Sequence, residues 1–161
     1  MKSDEQILSC SVDVDASLAD VWQAWTTEEG ARSFFAPQCR IECVPGGAYE
    51  MYFNPDAETG GRGGEGNILM ALQSPHMLSF SWNFPPILPS IRDQRTLVTI
   101  RLQPTSPGIT RVNLAQTGWG QGGEWEQGYH YFDHAWNDIV LPRLQRYFRE
   151  GALDWSNLEH E

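Results

Sequence analysis

A chain of 161 residues is long enough to close a sizeable core, and 40% hydrophobic with 20% charged residues is the composition of a globular protein rather than a disordered one. Eleven Lys and Arg against 21 Asp and Glu give a net charge of −10, which repels phosphate backbones and anionic bilayers and argues against nucleic-acid or membrane partners. No apolar run reaches the roughly 20 residues of a spanning helix, and the opening Met1 to Gln6 lacks the apolar centre of a signal peptide, so the sequence reads as one cytoplasmic domain over residues 1–161, with its core at about 7–150.

Ile7 to Val14 has the β-branched alternation of a first strand. Ser17 then stands at an N-cap position with Asp20 three residues on, and Leu18, Val21, Trp22 and Trp25 follow at helical spacing. Thr27 can cap a further turn or two through Glu28, Glu29 and Ala31, which ends near Phe34, Phe35 and the breaker Pro37. Cys39 to Val44 and Ala48 to Phe53 flank the turn Pro45-Gly46-Gly47 and predict a hairpin. A Gly-rich loop from Asn54 to Gly64 leads to a fourth strand, Asn67 to Leu72. After the Ser74-Pro75 turn comes a fifth, His76 to Asn83, with Leu78, Phe80 and Trp82 on one face and Ser79 and Ser81 on the face expected to be wet.

Residues 84–95 carry three prolines and no periodicity, which predicts a long loop over the sheet edge or a pocket mouth. Ile87, Leu88 and Ile91 within it are apolar for an exposed segment, so they either close the pocket or meet a second subunit, and a homodimer is one expectation. Thr96 to Gln103 and Thr110 to Thr117 are the last strands, with Val98, Ile100, Leu102, Val112 and Leu114 inward and Gln116 of the same parity. The run Gly118 to Gly123 then opens a long helix. Along it Trp125, Tyr129, Phe132, Trp136 and Ile139 recur at steps of four and three, one aromatic stripe roughly 80° wide at ~100° per residue. An antiparallel meander needs cover on at least one face, and this stripe supplies it. Pro142 is expected to bend the helix, since its ring removes a donor and crowds the preceding turn.

Several motifs invite chemistry and resolve to structure. Gly61 to Gly66 satisfies G-x-G-x-x-G, but a strand follows it where a dinucleotide fingerprint requires a helix. His130 and His134 are one turn apart, a metal-binding spacing, yet lie on the back of the stripe, so no metal or cofactor is assigned. Cys10, Cys39 and Cys43 read as ordinary buried thiols of a reducing compartment. No catalytic set is assigned; Glu65 and Asp133 are the carboxylates nearest to a general acid or base.

The runs Ser17 to Thr26 and Glu29 to Pro37, Val44-Pro45-Gly46-Gly47, Ser74 to Trp82, Gln116-Thr117-Gly118-Trp119, Tyr131 to Trp136 and Leu141 to Leu144 together resemble the START-like, SRPBCC superfamily. The closest likeness is to the branch named after the C-terminal domain of the activator of the heat-shock chaperone ATPase, over about Ile7 to Phe148. The resemblance implies an α+β helix-grip fold, in which a curved antiparallel sheet of six to seven strands with two short helices carries a long C-terminal helix across its concave face above a cavity.

The surplus of Tyr and Trp, whose polar tips need partners when buried, suits a cavity wall. The expected function is therefore binding of a small hydrophobic or aromatic ligand, lined by Phe35, Met51, Phe80, Trp82, Trp119, Tyr129, Phe132 and Trp136, with Gln116 and Tyr129 placing a polar group. A polyketide-cyclase or hydrolase-like enzyme using the same cavity, and a chaperone-associated or protein-interaction module, are the alternatives.

Overall fold

A computed structural model describes residues 6–157. Strand β1 (Leu8–Val14) turns Leu8, Cys10 and Val14 inward, as its alternation predicts. Helix α1 (Leu18–Thr26) starts where the Asp20 N–H donates to Ser17 Oγ at 3.2 Å, and it buries Val21, Ala24 and Trp25. Thr27 ends α1 and begins α2 (Glu28–Arg32), its Oγ accepting from the Gly30 N–H at 3.0 Å. Gly30 permits the tight corner, because a Cβ there would stand 2.4 Å from the Gln23 carbonyl oxygen.

The first hairpin, β2 (Gln38–Ile41) with β3 (Tyr49–Tyr52), is shorter than expected, and Cys43 lies beyond it, exposed rather than buried. The Gly-rich loop contributes a two-residue strand of its own, β4 (Gly63–Gly64), opposite Met51 and Tyr52. Glycine allows this: Gly63 has φ +137, and a Cβ on it would strike the Phe53 ring at 2.6 Å. Strands β5 (Leu69–Gln73), β6 (Met77–Trp82), β7 (Thr96–Ser106) and β8 (Ile109–Thr117) follow. The strands form two antiparallel sheets, β1-β8-β7-β6-β5 and β2-β3-β4, linked by the bridge Ala48–Ile68. Ser79 departs from the wet face foreseen for it: it is buried between Ala71 and Thr99 on the neighbouring strands.

The C-terminal helix runs from Glu124 to Glu150 in three parts: α3 (Glu124–His134), a π-helical segment (Ala135–Val140) and α4 (Leu141–Glu150). The π-segment is how the chain accommodates Pro142. Proline has no N–H to give four residues back and would crowd that carbonyl, and the widened turn, in which the Leu141 N–H bonds Trp136 O five residues back, relieves both problems.

The same widening resets the stripe. The buried residues include a row at steps of four, Gly128, Phe132, Trp136, Val140 and Leu144, with Leu141 buried beside Val140. An α-helix advances roughly 40° past a full turn every four residues, and the π-segment takes that drift back. Tyr129 and Ile139, at the two edges of the stripe read from sequence, sit half-buried. Helix α4 docks on β1, where Gln145 Nε2 donates to Asp13 O at 2.9 Å and Arg149 pairs with Asp15 at 3.5 Å. Among the described residues no helix is long and apolar enough to cross a membrane.

Candidate functional site

Two hollows meet along the flank of the helix that faces the three-stranded sheet. The larger, about 480 Å³, is walled by Phe35, Phe53, Trp82, Tyr131, Phe132, Ala135, Trp136, Ile139, Val140 and Arg143. The second, about 300 Å³, continues past Phe53, Trp82, Tyr131 and Phe132 to the Gly-rich loop at 61–64 and to Asn83 through Ile87. Phe53 and Tyr131 are 46% and 41% exposed, so the two hollows form one open groove rather than a sealed chamber. A hollow of about 550 Å³ on the polar back of the helix, among His134, Asp138 and Arg146, has no aromatic wall and is a surface depression.

Of the residues named from sequence, the structure brings together Phe35, Trp82, Phe132 and Trp136 on the groove floor. Phe35 lies 5.6 Å from Trp82 and 5.8 Å from Trp136, ring to ring. The other five lie off the lining. Met51 is buried opposite Cys39 and Gly64, and Phe80 stacks on Tyr49 at 4.3 Å, whose hydroxyl donates to the Trp25 carbonyl at 2.7 Å.

Gln116 is fully buried, and both ends of its amide are engaged. The Trp136 indole N–H donates to Oε1 at 2.8 Å, and Nε2 donates to Thr96 Oγ1 at 2.8 Å, whose hydroxyl in turn donates to the Trp82 carbonyl at 3.2 Å. The polar side chain foreseen inside the sheet is there, joining helix to sheet. Trp119 and Tyr129 pack on each other at 5.0 Å near the helix start.

That end of the helix is covered by the Pro-rich loop. Phe84 inserts against Trp125 at 5.2 Å and Phe132 at 5.4 Å, and over Gly128, where a Cβ would lie 2.6 Å from its ring. Leu88 and Ile91 are buried with it, while Ile87, 73% exposed, stands on the groove rim. The loop therefore answers its apolar residues largely within the chain. The Arg92 guanidinium ties it down by donating to the carbonyls of Phe84, Gly60 and Gly63.

The wall residues that sequence reading passed over are chiefly Phe53 and the row Tyr131, Ala135, Ile139 and Arg143. These four recur at steps of four beside the buried row, a signal visible only once the helix is known to widen. Arg143 is half-buried with its guanidinium 5.1 Å above the Trp155 ring. Burial, and then the neighbouring charge of Arg146, press it below its ordinary pKa, and burial pushes the Tyr131 hydroxyl up.

Neither carboxylate considered for acid–base work lines the groove. Glu65 accepts from the N–H groups of Gly60 and Arg62 at 2.7 and 2.6 Å; burial would raise its pKa, but these bonds and the charges of Arg62 and Arg92 outweigh it and hold the group low. Asp133 is exposed and accepts from Asn137 Nδ2 at 2.8 Å. His130 and His134 face solvent near Glu126 and Asp138, and among the described residues no three His, Cys, Asp or Glu converge as metal ligands.

Residues 15–149 match the family described as Activator of Hsp90 ATPase homolog 1-like protein. The chain belongs to this family. Solved structures with the same fold include protein MLL2253 from Mesorhizobium loti (TM-score 0.70, 18% identity, 92% of this chain and 100% of that one). The Aha1 dimer from Colwellia psychrerythraea aligns with TM-score 0.67 at 16% identity over 91% and 98% of the two chains. PFC0360w, an HSP90 activator from Plasmodium falciparum, aligns with TM-score 0.66 at 13% identity over 91% and 97%. At such identities the likeness is one of fold. No curated protein matches the sequence significantly.

Proposed function

We propose that the protein is a cytoplasmic binder of a small, largely apolar or aromatic molecule, held in the groove between the π-segment and the three-stranded sheet. The observation that carries this reading is the 480 Å³ hollow walled by six aromatic residues beside a widened helix turn. Its size and mostly apolar lining with few polar groups are those of small-molecule sites, and π-turns frequently accompany such sites. Apolar burial supplies the affinity at about 25 cal/mol per Å².

The enzyme reading draws less support, because the titratable side chains on the wall of the larger hollow are Tyr131 and Arg143, and neither exchanges a proton near neutral pH.

N-phenyl-1-naphthylamine, a neutral fluorophore that brightens on leaving water, tests the proposal. It is expected to bind the wild type and to lose at least about tenfold in affinity with Ile139→Trp, which fills the groove from its wall, or with Trp82→Ala combined with Phe132→Ala. Unchanged binding by variants that remain folded would refute the assignment.

A second reading, contact with an Hsp90-type chaperone or with a second copy of the chain, is favoured by the exposed apolar rim of Phe53, Ile87 and Tyr131. The family description and the Colwellia dimer make both partners reasonable ones to try.

A further inference from the structure

The groove ends where the helix stops supplying its wall. The buried row Val140, Trp136 and Phe132 lines the larger hollow, and the next member of that row is Gly128, which has no side chain to offer. Its place is taken from outside the helix. Phe84, 1% exposed, lies against Phe132 at 5.4 Å, Trp125 at 5.2 Å and Trp119 at 6.0 Å, and a Cβ on Gly128 would meet its ring at 2.6 Å. Phe84 also lines the smaller hollow together with Phe132, so it stands between the groove and the aromatic cluster at the helix start.

The backbone that carries this ring is fastened on both sides of it. Before it, Asn83 Nδ2 donates to the carbonyls of Gly63 and Glu65, while Asn83 Oδ1 accepts from Asn67. After it, Arg92 donates to the carbonyls of Phe84, Gly60 and Gly63, and Ser90 donates through its N–H and its hydroxyl to the Glu124 carboxylate. Pro85, Pro86 and Pro89 restrict the backbone between these ties. The loop therefore keeps its position without help from the ring, and trimming the ring leaves a hole rather than a collapsed loop. A hole lined by Trp119, Trp125 and Phe132 is apolar, and such a space stays dry and takes up apolar ligand atoms.

From this arrangement, and resting on the binding function proposed above, we infer that Phe84 is the residue that sets the length of ligand the groove accepts. It is the end wall against which the ligand's apolar body abuts. From Phe132 to Val140 the lining row spans about 12 Å at about 1.5 Å per residue, room for about two or three fused rings. Ligands longer than this gain nothing by their added length, so the site favours compact ring compounds over long-chain lipids. Because the end wall is lent by a loop, one substitution outside the helix and both sheets changes the accepted length and leaves the groove floor of Phe35, Trp82 and Trp136 as it is.

The test is a series of neutral 4-n-alkylphenols, propyl to octyl, displacing N-phenyl-1-naphthylamine from wild type, from Phe84→Ala and from Phe84→Ala combined with Gly128→Leu, each checked for folding by circular dichroism. In the wild type, affinity is expected to rise about fourfold per buried methylene and then level off. In Phe84→Ala the rise should continue past the wild-type break, so that octylphenol gains at least about tenfold over wild type while propylphenol changes less than about twofold. Gly128→Leu refills the space from the helix side and should return the break to its wild-type position. An unmoved break in folded Phe84→Ala, or one that Gly128→Leu does not restore, overturns the inference while leaving the groove as a binding site. If Phe84→Ala does not fold, Phe84→Leu, which removes less volume, should move the break in the same direction by a smaller step, and an unmoved break there overturns the inference equally. If no member of the series displaces the probe from the wild type, the binding reading fails, and this inference fails with it.

Discussion

The two sides of the C-terminal helix teach different lessons about the same residue types. On the side facing β6, β7 and β8 the aromatic residues are locked: Trp136 is bonded to Gln116, Gln116 to Thr96, and Phe80 is stacked on Tyr49. On the side facing β2, β3 and β4 the rings of Phe53 and Tyr131 are only partly covered and an open groove remains. The first sheet has five strands of 5 to 11 residues, and the second has three strands of four, four and two residues that end in a glycine loop. A short sheet cannot follow the helix along its whole length, so the helix's flank is left unfilled where that sheet stops. Aromatic content alone therefore does not mark a binding surface; a binding surface needs rings whose neighbours run out.

The comparison predicts opposite responses to mutation. Phe80→Ala, in the locked half, should cost about 3–5 kcal/mol of stability by denaturant titration, while the molecules that stay folded bind N-phenyl-1-naphthylamine as before. A large loss of probe affinity with little loss of stability would erase the distinction between the halves.

Gln116→Leu comes next. It leaves the Trp136 indole N–H buried without its acceptor, which costs about 1–3 kcal/mol. Trp136→Phe added to it should recover part of that loss, because the stranded donor is gone; strictly additive losses would mean that the amide bridge contributes little.

The smallest effect concerns the thiols. Burial pushes Cys10 and Cys39 from 9.0 to about 11, so the folded chain keeps them protonated where the unfolded chain releases their protons. The contribution is present below pH 9 and is lost as pH rises toward 11, a modest alkaline fall in thermal midpoint that Cys10→Ala combined with Cys39→Ala should flatten. Exposed Cys43 should be the first to react with a thiol reagent.

Local sequence carried much of the architecture. Ser17 and Thr27 marked the starts of α1 and α2, because a hydroxyl that accepts from the first turn is a short-range device. The alternation of Leu78, Phe80 and Trp82, and of Val98, Ile100 and Leu102, placed the inner face of the large sheet, because strand geometry repeats every two residues wherever the strand sits. The parity of Gln116 was legible in the same way, although what it bonds was not. Four of the ten wall residues of the larger hollow were legible too, Phe35, Trp82, Phe132 and Trp136, since buried aromatic residues announce themselves by pattern.

The phase of the long helix was not legible. Pro142 signalled trouble in the backbone but not its resolution, six residues of π-helix between Tyr131 and Arg143, both of which line the groove. Likewise, residues 84–95 looked like a loop over a mouth, yet Phe84 packed against Trp119, which was expected to line the ligand's space, and against Trp125. What the sequence determined by itself is whatever depends on near neighbours: caps, strand parity, turns and the apolar stripe. What only the tertiary structure decided is which rings pack against rings and which face a void, because that depends on where one sheet ends, how a helix absorbs a proline and which loop folds back, none of which a local pattern encodes.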